Sequence, residues 1–212
     1  MTLTILTPDE LRAVYETHLK EAFPPEELKP LWSMERLREE GLYDPLCLRD
    51  EAGEALGYVL LWRHTGGRYL LVDYLCVPAA RRNGGIGGVL LKAMLDRYGA
   101  DTVFIGESEA PTGDAAADGM ILRRLGFYRR NGAVTLSYDT ALFGVHFKTI
   151  CWTRGTMPAE AEILQAHQEI YLQRFGRKNY DRFIQIPLHP GEEIFPVTEW
   201  TEEEARHADF GL

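Results

Sequence analysis

The stretch LLVDYLCVPAARRNGGIGGVLL, from Leu70 to Leu91, decides how the rest of the chain is interpreted. It predicts a strand, a short basic turn, a run of glycines between residues 84 and 88, and then an amphipathic helix. The first N–H groups of a helix have no partner inside it, and glycine lets a ligand approach them closely. Arg81 and Arg82 add positive charge to that of the helix dipole. The stretch therefore predicts a phosphate or pyrophosphate site.

Composition and charge argue against several classes of protein. The 212 residues are 45% hydrophobic and 26% charged, which is typical of one globular domain, with or without an extension. A net charge of -9 argues against nucleic-acid binding and suits a cationic substrate. A surplus of Asp and Glu residues can also serve only to keep a protein soluble. We find neither a membrane span nor a secretory signal, so we predict a cytoplasmic protein. The spacing of Cys47, Cys76 and Cys151 predicts buried, reduced thiols.

The residues before the stretch predict a strand, two helices and an antiparallel meander. Leu3 to Leu6 forms the strand, and a capping box of Thr7 and Glu10 opens the first helix. The second helix is predicted from Ser33 to Gly41. Three strands with short, glycine-bearing connections then follow, at residues 46–49, 55–62 and 69–77.

The residues after the glycines predict a crossover and then two more strands. The amphipathic helix leads to a strand at residues 102–105, which a right-handed crossover places parallel to the strand before the glycines. A helix at 115–130 and strands at 133–138 and 142–152 follow, with a connection at Asp139 to Ala141. A last helix from Pro158 to Phe175 precedes an irregular segment. The aromatic residues of this helix and segment need burial over the main sheet or in a dimer contact: Tyr171, Phe175, Tyr180, Phe183, Phe195 and Trp200.

Spacing separates three glycine-rich phosphate motifs. A P-loop needs Lys and then Ser or Thr after its last glycine, but Val89 follows Gly88. A dinucleotide-binding fingerprint needs a third glycine where Leu90 stands, and an antiparallel meander is wrong for a doubly wound sheet. The pattern R-x-x-G-x-G is met in full from Arg82 to Gly87.

On this pattern the chain resembles the GNAT superfamily of N-acetyltransferases. A second family motif, F-Y-x-x-x-G-[FA], is met from Phe127 to Ala133. A rival register ending at Leu125-Gly126-Phe127 is not followed by a strand, and the run RRLGFYRRNGA is similar to bacterial members. The resemblance implies a GNAT fold of the α/β (α+β) class, with a mixed central sheet and flanking helices. The acetyl-CoA-binding catalytic domain would be residues 1–152, and residues 153–212 a C-terminal extension of that domain or a dimer contact.

The resemblance implies acetyl-CoA as cosubstrate and no metal. Backbone groups of Leu75, Cys76 and Val77 would pair with the pantetheine like a short added strand. The pyrophosphate would be held by Arg82, Asn83, Gly84, Gly85, Ile86, Gly87 and Gly88. Ile121 and Arg124 replace the Asn and Ala that the family often has before its tyrosine. Contacts at the pantetheine end are therefore the part of the family pattern that this sequence does not reproduce.

Acetyl transfer to an amine needs a proton acceptor and a proton donor. The amine attacks only when neutral, and a primary ammonium has a pKa of about 10.4. The leaving thiolate needs a proton, for which Tyr128 is the predicted acid. The predicted bases are Asp73, among apolar neighbours, and Glu107 with Glu109, where two strands are expected to part and open a cleft. These carboxylates could instead be solvated strand ends, and many members of the family use a water relay.

The predicted acceptor is a primary amine of a small molecule, attacked directly. The segment from Phe23 to Trp32 should build its site, and Glu26, Glu27, Trp32 and Tyr43 would favour a cationic, partly apolar amine. A CoA-binding sensor or interaction module without catalysis is the alternative. The histidines are scattered without metal-ligand spacing, which predicts surface or hydrogen-bonded side chains.

Overall fold

The computed structural model describes residues 1–116 and 118–197, and its strands form one mixed sheet. Trp200, expected to need burial, lies outside these residues. The strand order is β1-β2-β3-β4-β5-β7-β6-β8. The strands are β1 (Thr2–Ile5), β2 (Tyr43–Arg49), β3 (Ala55–Arg63), β4 (Tyr69–Cys76), β5 (Val103–Glu109), β6 (Val134–Leu142), β7 (Val145–Thr153) and β8 (Ile184–Leu188).

The helices flank this sheet. Those of the described residues are α1 (Pro8–Val14), α2 (Lys20–Ala22), α3 (Leu31–Glu39), α4 (Ile86–Arg97), α5 (Asp118–Arg130) and α6 (Glu160–Phe183). A π-helical turn, Tyr15–Leu19, joins α1 to α2. The predicted capping box is confirmed, since the N–H of Glu10 donates to Thr7 Oγ1 over 3.2 Å and the N–H of Thr7 to Glu10 Oε2 over 2.8 Å. None of these helices is both long enough and apolar enough to cross a membrane.

The sheet separates two apolar cores. One face carries α1, α3 and α6, which bury side chains such as Leu11, Met34 and Ile170. The other face carries α4, which buries Leu90 and Met94, with α5 packed beside it. The three cysteines are buried and free, as predicted.

The meander and the crossover are confirmed. Strands β2, β3 and β4 pair antiparallel, and β4 then pairs parallel with β5. That parallel pairing runs only from Tyr69 with Val103 to Val72 with Gly106, although both strands continue. Beyond Val72 and Gly106 the two strands part, as expected from the sequence, and they leave a gap in the middle of the sheet.

Three details of the C-terminal half differ from the sequence prediction. The β6–β7 connection is at Phe143 and Gly144, not at residues 139–141, because a tight hairpin needs positive φ at both positions; the values are 50° and 84°. Helix α6 continues past Phe175 to Phe183, with a non-helical Gly176 inside it. The segment predicted to be irregular contains β8, which pairs antiparallel with β6 at the edge of the sheet.

Candidate active site

A cleft of about 590 Å³ opens where β4 and β5 part. The three predicted catalytic residues, Asp73, Glu107 and Tyr128, all line it. Gly84 is the one predicted cofactor residue that does not. The others do: Leu75, Cys76, Val77, Arg82, Asn83, Gly85, Ile86, Gly87 and Gly88. The structure therefore brings the two sets of predicted residues to one cavity.

One end of the cleft is the N-terminus of α4. Gly85 caps this helix in the left-handed conformation, with φ 78°, and Asn83 is also left-handed, with φ 66°. The first intrahelical bonds run from the N–H groups of Gly88 and Val89 to the carbonyl of Gly85. Within residues 1–116 and 118–197, no backbone carbonyl accepts from the amides of residues 84–87. This end is a row of free N–H donors beside Arg81 and Arg82.

The glycines of the loop also let the two family motifs touch. A Cβ atom at Gly87 would lie 2.9 Å from Cζ of Phe127, and one at Gly88 would lie 2.9 Å from Oδ1 of Asn131. Both neighbours belong to the F-Y-x-x-x-G segment at the end of α5. The absence of side chains at Gly87 and Gly88 thus brings α4 against α5, which is a packing role that the motif alone does not reveal.

Tyr128 presents a free hydroxyl to the cleft. Its ring is half-buried and packs edge-on against Trp152, with the ring centroids 5.5 Å apart. In the part of the chain that the structure describes, no side chain or backbone group hydrogen-bonds this hydroxyl. Burial raises the pKa of Tyr128. The phenol therefore keeps its proton at neutral pH, as a proton donor must.

Asp73 is held in a buried ion pair. It is the extra residue of a β-bulge in β4, because Leu60 pairs with Tyr74 and Leu61 with Val72. Its side chain is 3% exposed and contacts the ammonium of Lys29, and it accepts the hydroxyl of Tyr43 over 2.6 Å. The expectation of apolar neighbours is wrong, because a cation and a hydroxyl meet this carboxylate.

Lys29 sits in an aromatic cage beside Asp73. Its Nζ lies 5.1 Å from the ring centroid of Trp62, 5.6 Å from that of Tyr74 and 5.8 Å from that of Tyr171. Its backbone N–H donates to the Tyr74 hydroxyl over 2.8 Å. Cation–π attraction and the carboxylate together compensate for burying the ammonium. The sequence prediction did not identify this lysine, which lies in the segment expected to build the acceptor site.

Glu107 has a hydrogen-bond partner on each of its two carboxylate oxygens. Oε1 lies 2.9 Å from His167 Nε2, and Oε2 accepts the Tyr171 hydroxyl over 2.8 Å. The other ring nitrogen of His167, Nδ1, lies 3.2 Å from the Tyr138 hydroxyl. His167 is fully buried, as the hydrogen-bonded alternative for the histidines expected, but its place next to Glu107 was missed. The sequence does carry a signal for this residue. His167 lies four residues after Ile163, which places it on the buried face of α6.

A second acidic group lies on another wall of the cleft. Glu109 pairs with Arg124 over 2.7 Å, and Glu27 faces both. Burial, and then the nearby charge of Glu109, raise the pKa of Glu27 to about 7. Glu26 also lines the cleft. Of the other residues expected at the acceptor site, Tyr43 is buried, and neither Tyr43 nor Trp32 is among the residues that line the cleft.

The described residues contain no group of three His, Cys, Asp or Glu side chains placed to hold a metal ion. His64 and His146 instead pair with single carboxylates. His64 contacts Glu169 and His146 contacts Asp139, each over 2.8 Å.

The family model described as acetyltransferase (GNAT) family matches residues 11–127, which is more than half of the chain. The chain belongs to the GNAT family. It is an acetyl-CoA-dependent N-acetyltransferase built on the GNAT fold, as the two motifs predicted. The matched residues include the glycine loop and Phe127 and end just before Tyr128. They exclude α6, which supplies both partners of Glu107.

Solved structures share this fold at low sequence identity. A protein assigned to the GNAT acetyltransferases of Bacteroides thetaiotaomicron is 21% identical, with a TM-score of 0.63 over 81% of this chain and 97% of that one. Spermidine N-acetyltransferase from Vibrio cholerae, in complex with CoA and spermine, is 12% identical, with a TM-score of 0.53 over 72% of this chain and 95% of that one. Ribosomal-protein-alanine N-acetyltransferase from Brucella melitensis is 19% identical, with a TM-score of 0.50 over 72% and 99%. No curated protein matches the chain.

Proposed function

We propose that this protein transfers the acetyl group of acetyl-CoA to a primary amine of a small, cationic molecule by direct attack. One observation carries the proposal. A single cleft joins the free amides of α4 to Glu107, which can accept a proton, and to Tyr128, which can donate one. Acetyl-CoA supplies the acetyl group as a thioester, and the residues of the cleft bind, orient and move protons.

The cofactor end of the cleft suits a pyrophosphate. The free amides of residues 84–87 and the guanidinium groups of Arg81 and Arg82 give it donors and positive charge. Arg82 is itself held at the end of β4, because its Nε donates to the carbonyl of Val77 over 3.0 Å. Leu75 and Val77 face the gap between the strands, where a pantetheine arm can pair with their backbone groups as an added strand.

Glu107 is the proton acceptor in this proposal, and Asp73 is not. The charge of Asp73 is already matched by Lys29, and its side chain is almost sealed from solvent. The partners of Glu107 are instead an imidazole and a phenol. Its carboxylate takes a proton from the amine nitrogen as that nitrogen bonds to the acetyl carbon. Tyr128 Oη gives its proton to the sulfur that leaves, so the protons balance.

The walls of the cleft support a cationic acceptor. Glu26 and Glu27 line it, together with the aromatic rings of Phe23 and Phe147. Carboxylates beside apolar surface favour an amine whose charged groups are separated by apolar segments. The structural relative from Vibrio cholerae that carries spermine is consistent with such an acceptor, whereas the relative named for a ribosomal-protein alanine makes peptides worth testing.

Release of free thiol from acetyl-CoA tests the proposal. A panel of polyamines, aminoglycosides, amino acids and peptides should contain at least one compound that triggers release, while release without amine stays at background. Arg82→Gln should weaken acetyl-CoA binding, whereas Lys92→Gln, the same loss of charge on the exposed side of α4, should not. Binding of acetyl-CoA without amine-dependent release would favour the sensor alternative. No binding at all would refute the interpretation of the glycine loop.

A further inference from the structure

Helix α6 supplies the partners of Glu107. His167 and Tyr171 lie four residues apart on one face of this helix and reach the two oxygens of the same carboxylate. The Glu107 side chain is 12% exposed and faces the cleft, while His167 is completely buried behind it. Both helix residues follow the part of the chain that matches the family model, residues 11–127.

The hydrogen bonds fix where the imidazole carries its proton. Nε2 faces the carboxylate of Glu107, which only accepts hydrogen bonds when ionised, so Nε2 must be the protonated nitrogen. Nδ1 lies 3.2 Å from the Tyr138 hydroxyl, which can donate to it when the ring carries a proton on Nε2 alone. The phenol of Tyr171 donates to the second carboxylate oxygen. Every polar group of the network has a partner, and the side chain of Glu107 is held by two donors that come from one helix.

We propose that His167 is a positioning residue for the proton acceptor, and that α6 is thereby a working part of the active site. This inference rests on the proposed function, because it assigns His167 a role through Glu107. Nε2–H and the Tyr171 hydroxyl hold the carboxylate in one orientation, with its remaining lone pairs toward the cleft. A base held in this way keeps the short contact to the amine that proton transfer requires.

The chain provides a matched control for this pair. His64 Nε2 lies 2.8 Å from Oε2 of Glu169, which is also on α6, but neither residue lines the cleft. This is also a contact between a histidine Nε2 and a glutamate carboxylate, but it lies outside the proposed active site. Loss of His64 should therefore report what a His–Glu contact to α6 contributes to folding alone.

Turnover with a reactive amine tests the role of His167. His167→Leu should lower kcat by about 10- to 100-fold and leave the KM for acetyl-CoA within about twofold, because a misplaced base slows chemistry without weakening binding. His167→Gln, which keeps an N–H donor, should lose less. His64→Leu should keep kcat within about twofold. In Glu107→Gln the second change His167→Leu should cost nothing further, since the two residues act as one unit.

Two outcomes of turnover would overturn the role. One is a folded His167→Leu protein with normal kcat; the other is a double variant whose losses multiply. Nitrogen-15 NMR of labelled histidine reads the ring proton without turnover and with the unaltered protein. A proton on Nε2 of His167 without turnover of any amine would confirm the hydrogen bond that orients Glu107 and would refute the proposed function. A proton on Nδ1 with bare Nε2 overturns the inference whatever the activity.

Discussion

Two carboxylates flank the gap between β4 and β5, and their surroundings differ. Asp73 on β4 contacts the ammonium of Lys29 and the Tyr43 hydroxyl, with 3% of its side chain exposed. Glu107 on β5 contacts the imidazole of His167 and the Tyr171 hydroxyl, with 12% of its side chain exposed. Each carboxylate therefore has one nitrogen partner and one phenol partner, and both line the same cleft.

The nitrogen partner makes the difference. An ammonium carries a full positive charge, so the buried pair of Lys29 and Asp73 is neutral as a unit. The imidazole of His167 orients the Glu107 carboxylate through one hydrogen bond, and that side chain is more exposed than the side chain of Asp73. The proposed function therefore uses Glu107 as the base and gives Asp73 a structural role, although the sequence predicted both as bases.

The largest effect should come from Glu107→Gln. An amide keeps the shape of the side chain but does not accept a proton from an ammonium or amine, so kcat should fall by about 10²- to 10⁴-fold. Steady-state turnover and a thermal melt of the same sample measure it, with the melting temperature nearly unchanged. Glu169→Gln, which alters the other His–Glu contact on α6, is the control that should keep normal kcat. A larger loss of kcat in folded Asp73→Asn would reverse the comparison.

Lys29→Met should have the next largest effect, on stability and not on chemistry. It leaves Asp73 ionised, buried and without its cation, which should lower the free energy of unfolding by about 3–5 kcal/mol. Urea unfolding measures this. The double variant Lys29→Met with Asp73→Asn removes both charges and should recover at least half of the loss. A double variant as unstable as the single one would show that the cage, and not the ion pair, is what the fold requires.

Two Tyr→Phe variants, each of which removes one oxygen atom, separate a role in stability from a role in catalysis. Tyr43→Phe removes a donor to a buried carboxylate and should lower the free energy of unfolding by about 1.5–3 kcal/mol without changing kcat. Tyr128→Phe removes a hydroxyl that has no partner in the described residues, so it should leave stability unchanged and lower kcat by about 10²-fold. Unfolding and turnover are measured on both variants. Full turnover by Tyr128→Phe would refute the assignment of the acid.

The sequence predicted the secondary structure and the cofactor loop around the site because these features depend on local sequence patterns. The glycine loop, the capping box and the meander each depend on residues within a few positions of one another, and the parting of β4 and β5 follows from their order. The partners of the carboxylates depend on distant contacts. Lys29 lies 44 residues before Asp73, and His167 lies 60 residues after Glu107. No spacing in one sequence predicts such pairs, although the buried stripe of α6 marks His167 as a polar group that must find one.

The errors in the prediction also have physical causes. The sequence Asp139-Thr140-Ala141 has the polarity of a turn, but Gly144 supplies the positive φ that the actual hairpin needs. Strand β8 is only five residues long and contains Pro187, which is typical of an edge strand and weakens the strand signal. The apolar residues around Asp73 in the sequence do not reveal its cation, because Lys29 comes from a distant segment and meets the Asp73 side chain at a β-bulge.

The smallest effect should come from a third carboxyl group, that of Glu27. It tests binding of the acceptor amine independently of the Asp73–Lys29 and Glu107–His167 pairs. Burial raises the pKa of Glu27 to about 7, so this side chain is neutral below pH 7 and ionised above it. A cationic amine should therefore bind more tightly as pH rises from 6 to 8, by about fivefold for one partly exposed ion pair. Calorimetry with CoA in place of acetyl-CoA measures the Kd without turnover.

Glu27→Gln should abolish this change of Kd with pH. Glu21→Gln, on an exposed residue outside the cleft, should retain it. A change of Kd with pH that survives Glu27→Gln would instead assign the titration to another group in the cleft, and Glu107 would be the first to test.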